Sequence, residues 1–144
     1  MSNFDMYGDY GLREASAIRK RKVRSTALAN AAMLGQQRGQ RNMAEIQRKY
    51  SEGMQPLVSS FGQRGFGGPN VQSGIRSRGL ARYAESLQRD LGEESRALQE
   101  SLNEIQATEA SEQDDLNDYL AELRFEKAKK IMSDAMNIKS LASY

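Results

Sequence analysis

Apolar side chains recur along this chain at intervals of three, four or five, which is the spacing of helix faces and not of alternating strands. From Arg13 to about Ser59 the recurring positions are Ala15, Ile18, Val23, Ala27, Leu28, Ala31, Leu34, Met43, Ile46, Tyr50, Met54 and Leu57. They are set among alanine, glutamine, arginine and glutamate, which favour helix. Gly35 and Gly39 lie four apart and mark either a weak point or a close helix crossing, so a broken helix and a continuous rod are both compatible with this segment. From about Leu80 a narrow stripe runs through Leu87, Leu91, Leu98, Leu102, Ile105, Leu116, Leu120, Leu123, Ile131, Ile138 and Leu141. Its steps predict a coiled coil or a long helical hairpin. The stripe is irregular: charge stands at Glu94, Glu109 and Glu112, where a leucine is expected. The eleven-residue intervals Leu80 to Leu91 to Leu102 predict a rod with little supercoiling. Thr108 to Asp115 is polar but holds no strong breaker, and the helix is expected to continue through it.

Between these segments the composition changes. Residues 53–79 hold seven of the twelve glycines and both prolines, and Phe61-Gly62-Gln63-Arg64-Gly65-Phe66-Gly67-Gly68-Pro69-Asn70 is expected to turn the chain instead of continuing a helix. Phe61 and Phe66 are its expected anchors. Residues 1–12 mix aromatic residues with Gly8 and Gly11 and read as a flexible or docking tail. The organisation expected is thus a tail at 1–12, a basic helical segment at 13–59, a Gly/Pro-rich linker at 60–79 and a long, largely acidic amphipathic helical segment at 80–144. The fold class is all-α: extended helices or a helical hairpin, assembled with other chains. Leu91, Leu98, Leu102 and Ile105 are the expected helix-packing residues.

Composition strengthens the expectation of assembly. Only 38% of the 144 residues are hydrophobic, a total that leans on alanine and seven methionines, and there is no tryptophan. So short a chain with so few large apolar side chains buries little surface alone. Neither cysteine nor histidine occurs, which removes thiol chemistry, disulfides, the usual soft metal ligands and the one side chain that ordinarily titrates near neutrality. No cofactor and no metal is expected. No run of 18 apolar residues is present, and the N-terminal residues lack the order of a signal peptide, so a soluble protein, or one carried to its site by others, is expected.

The formal charge of +2 conceals an asymmetry. Residues 1–89 carry fifteen Lys or Arg against six Asp or Glu, and residues 90–144 carry six against thirteen. The halves can attract each other, neighbouring copies or different partners. The sharpest cluster is Arg19-Lys20-Arg21-Lys22 with Arg24. It fits a surface that is solvated or binds acidic protein, a phosphate-backbone contact to DNA without base reading, or a targeting signal. The acid-rich stretch from Glu109 to Glu122 lacks the loop geometry of a calcium site and the cleft of an acid/base pair, and reads as solvated acids or a patch facing a basic partner. The serines in the Gly-rich stretch have no activating base, and its glycines lack a phosphate-loop signature. A noncatalytic role is therefore expected.

Ser60-Phe61-Gly62-Gln63-Arg64-Gly65, followed by Ser73-Gly74 and then Arg78-Gly79-Leu80 and Tyr83, resembles small virion proteins of tailed bacteriophages encoded among head and tail genes. The Gln/Arg/Ala-rich first helix and the Glu/Leu-rich second helix extend the likeness over roughly residues 27–130. The resemblance implies a structural component of the virion, in the capsid interior, near the portal or in the head-to-tail passage, present in the host cytoplasm during assembly. Portal or tail-adaptor subunits, further copies of the chain and packaged DNA are the partners it implies. A DNA-binding architectural protein, and an assembly scaffold or chaperone absent from the mature particle, are the alternatives.

Overall fold

The computed structural model describes residues 3–63 and 74–143, with side chains for 7–62, 74 and 76–143. The described residues form two α-helices that pack against each other, α1 (Asn3–Gln63) and α2 (Gly74–Ala142). Their contacts divide into two compact units, one formed by Met1–Asn30 with Ile105–Tyr144 and the other by Ala31–Glu104.

In the first unit the two segments run antiparallel. Tyr7 lies beside Asp134, Glu14 beside Arg124 and Arg21 beside Glu109, so each step forward along α1 meets a step back along α2. Among the described residues Leu28 and Leu123 are its buried apolar side chains. The face of α1 turned to α2 is otherwise polar or small, with Glu14, Ala17, Arg21 and Ser25 on it. This departs from the expected stripe: Ala15, Ile18, Val23 and Ala27 are exposed, because the ion-pairing residues occupy the inward side and the apolar ones are left outside.

The second unit is also antiparallel, and glycines set its spacing. A Cβ on Gly39 would lie 2.8 Å from Leu98 Cδ2, and one on Gly53 would lie 2.5 Å from the Tyr83 hydroxyl. Phe61, buried, presses its ring on Gly79. Each glycine lets a large side chain of the other helix reach the backbone. Of the pair marked in the sequence, Gly39 is a close crossing while Gly35 meets nothing within 4 Å, and the helix continues through both. Tyr50 and Tyr83 stack tilted at 5.0 Å between centroids. The Tyr83 hydroxyl donates to the Tyr50 carbonyl, and the Tyr50 hydroxyl donates to Asp90 Oδ2 at 2.6 Å.

Two expected boundaries are corrected. The segment 1–12 is helical from Asn3 onward: the Tyr7 hydroxyl donates to Asp134 Oδ2 at 2.7 Å and the Lys130 ammonium lies 6.0 Å from the Tyr10 ring centroid, and these contacts outweigh the weak propensity of Gly8 and Gly11. The linker is shorter than 60–79, since α1 extends to Gln63 and α2 resumes at Gly74. Across these helical flanks Phe61 of α1 meets Gly79 of α2. Phe66, the second expected anchor, lies outside the described residues. Helix α1 also passes through Pro56, although proline cannot donate to the Glu52 carbonyl. Beyond it Leu57 is half-buried and Phe61 buried.

Candidate functional site: a polar clasp and two exposed faces

The three acids that interrupt the apolar stripe of α2 each reach α1. Glu94 Oε1 accepts from Asn42 Nδ2 at 2.8 Å. Glu109 Oε1 accepts from the Ser25 hydroxyl at 2.8 Å and pairs with Arg21 Nη2 at 2.7 Å, while the same guanidinium nitrogen donates to the Glu109 backbone carbonyl at 2.8 Å. Glu112 Oε1 accepts from Arg24 Nε at 2.9 Å, and its other oxygen stands 3.7 Å from Arg21 Nη1. Charge replaces leucine at these positions because the opposing side of α1 carries donors.

Arg21 is the centre of this clasp and only 8% exposed. Its Nε and Nη1, with Glu109 Oε2 and Glu112 Oε2, are buried without hydrogen-bond partners. A buried guanidinium is tolerated only when paired, and incomplete pairing leaves part of the desolvation cost standing. The arrangement therefore contributes more to alignment than to net stability. The Arg21 and Ser25 hydrogen bonds, aided by the Arg21 charge, hold the Glu109 carboxyl below the usual carboxylate range against the opposing effect of its partial burial.

The expected basic surface is thereby divided. Arg21 and Arg24 are engaged with Glu109 and Glu112 inside the chain, while Arg19, Lys20 and Lys22 are exposed. The acid stretch divides likewise: Glu109 and Glu112 face α1, whereas Asp114, Asp115, Asp118 and Glu122 are exposed. Among the described residues no group of three or more Asp or Glu side chains is arranged to hold a metal ion, and no helix is long and apolar enough to cross a membrane. The chain matches no family model, no curated protein and no solved structure.

Leu91, Leu98 and Leu102 in the second unit and Ile105 in the first are half-buried on the α2 face that packs on α1. Their packing is within the chain. The apolar positions on the opposite faces include Val23, which the sequence placed on the packing stripe, and Leu12, Phe125, Met132 and Met136, which sequence reasoning missed. Leu12 is 72% exposed and Val23 67% on α1, and Phe125, Met132 and Met136 are similarly open on α2. Spacing could have shown them: Leu12 and Val23 are separated by eleven residues, three full turns, and Phe125, Met132 and Met136 by seven and four.

Proposed function

We propose that this chain is a noncatalytic structural component of a tailed-phage virion, positioned at the portal, in the head-to-tail passage or in the capsid interior. The observation that carries the structural role is the imbalance of its apolar surface. Among the described residues the buried apolar side chains are Leu28, Phe61 and Leu123, while Leu12, Val23, Phe125, Met132, Met136 and Leu141 are each at least 65% exposed. A helix pair with so thin a core and so much uncovered apolar surface is suited to burial in an assembly. The virion assignment rests on the resemblance carried by Ser60 to Gly65, Ser73-Gly74 and Arg78 to Tyr83. Partners on this reading are portal or tail-adaptor subunits and further copies of the chain. A DNA-coating role draws less support, because Arg21 and Arg24 already face carboxylates.

Cross-linking mass spectrometry on purified particles tests the assignment. Stoichiometric recovery with cross-links from α1 or α2 to portal or tail proteins is the expected result. Presence during assembly and absence from finished particles would replace it with a scaffold or chaperone role.

A further inference from the structure

We propose that the outer face of α1 in the first unit binds the outer face of α2 in a second copy of the same chain, head to tail. The two faces are fixed by helix geometry. At 100° per residue Leu12, Arg19 and Val23 lie on the side of α1 opposite buried Leu28, and Asp118, Phe125 and Met132 lie on the side of α2 opposite buried Leu123. All six are exposed. The α1 face repeats at steps of seven and four and the α2 face at steps of seven, the spacing by which one helix packs along another.

The charges on the two faces are opposite and occur at matching depth. Arg19, Lys20 and Lys22 stand on or beside the α1 face, and Asp114, Asp115 and Asp118 stand on or beside the α2 face. Within one chain Glu14 pairs with Arg124 and Tyr10 lies by Lys130. An antiparallel register shifted by one to three residues from these pairs sets Leu12 of one copy against Phe125 of the next and Arg19 against Asp118, an apolar contact followed two turns later by an ion pair. The same register sets Ala27 against Ala110, where small side chains permit close approach. Lys129 and Lys139 lie further along the α2 face, but its stretch from Asp114 to Phe125 is acidic and apolar, which does not fit nucleic acid, and the basic face of an identical chain supplies what it lacks.

Because the two faces lie on opposite flanks of the unit, the contact is heterologous. Such contacts propagate until a ring closes or a filament grows. The inference goes beyond the virion reading and does not require it.

Sedimentation velocity on the purified full chain over a concentration series tests it. Wild type is expected to associate, and to do so less as salt rises. Leu12→Glu and Phe125→Glu, both at exposed positions, are each expected to abolish self-association with helicity by circular dichroism unchanged. Mixed together, the two variants are expected to form a one-to-one complex and nothing larger, since one retains an intact α2 face and the other an intact α1 face. Arg19→Asp and Asp118→Arg should each weaken association at least tenfold, with recovery in the double variant. A wild-type chain that stays monomeric throughout overturns the proposal and leaves the virion assignment to its own test. Wild-type association persisting in either glutamate variant, or failure of the mixture to pair, also overturns it.

Discussion

Arg21 binds both the backbone carbonyl and the side-chain carboxylate of Glu109, a residue 88 positions away in the chain. A contact that includes the backbone selects one residue and one helical phase, so a slip by a turn would strand the buried guanidinium. Outside this clasp, Tyr7 with Asp134 and Glu14 with Arg124 join side chain to side chain only, and flexible side chains specify register less strictly than a bond to the backbone.

Breaking the clasp should therefore differ from replacing it. Arg21→Ala leaves Glu109 without its cation, held only by the Ser25 hydroxyl, and Glu112 with Arg24 alone, and thermal melting should fall by on the order of 5 °C. The triple replacement Arg21→Met, Glu109→Leu, Glu112→Leu should melt at or above wild type, because it removes every desolvated charge at once. Disulfide trapping between cysteines introduced at Ala17 and Leu116 should be less selective in the triple variant, revealing loss of register.

The glycines separate by what stands opposite them. Gly35→Ala enters open space and should stabilise the chain by about 0.5–1 kcal/mol through helix propensity. Gly39→Ala meets the tip of Leu98 and should gain nothing in the wild-type background, but recover the propensity benefit when combined with Leu98→Ala. Chemical denaturation of the four chains in a double-mutant cycle measures the coupling. Gly79→Ala should be the most damaging, because the Phe61 ring is stiffer than a leucine tip.

Glu109 and Tyr50 give stability dependences on pH of opposite sign. Glu109 is held below the ordinary carboxylate range, so its contribution is present above the unfolded pKa and is lost as pH falls through the lowered folded value. The advantage of wild type over Glu109→Gln in thermal melts should persist at neutrality and vanish in strong acid. The Tyr50 hydroxyl is raised above 10.0, chiefly by its hydrogen bond to Asp90 and then by burial and the Asp90 charge. Its contribution is present below the unfolded value and is lost as pH rises through the folded one. Wild type should exceed Tyr50→Phe at neutral pH and lose that margin in alkali.

Two apolar residues only two positions apart on α2 should respond differently to truncation. Leu123 is buried and Phe125 is 70% exposed. Leu123→Ala should lower unfolding free energy by about 2–3 kcal/mol, whereas Phe125→Ala should stay within about 0.5 kcal/mol in the monomer. Urea denaturation at low protein concentration distinguishes them.

Two long helices were legible in the sequence because period and propensity agree over most of the length. The face of α1 was not, since Ala15, Ile18 and Val23 have helical spacing yet lie outside, and the inward side is marked by Arg21 and Ser25, which periodicity alone reads as solvent-facing. The signal was present on α2: Glu94, Glu109 and Glu112 break the leucine pattern at the three places where donors on α1 wait. Helical order from Asn3 was hidden for another reason, as it depends on Tyr7 and Tyr10 meeting Asp134 and Lys130. Motif residues that carry the phage resemblance also meet in the second unit, where Phe61 covers Gly79 and Tyr83 lies over Gly53. At least part of that motif is thus a packing arrangement between the helices.

The pairing of Tyr7 with Asp134 also determines how the first unit bears mechanical load. Force that separates these two residues sideways would peel the contacts one after another, meeting first the tyrosine bond, then Glu14 with Arg124, and then the Arg21 clasp. Force directed along the helices would instead load all of them together. Optical-trap handles placed at positions 7 and 134 should open this unit at low force in short steps, one of them at the Arg21 clasp, while handles that pull lengthwise should meet a single higher rupture.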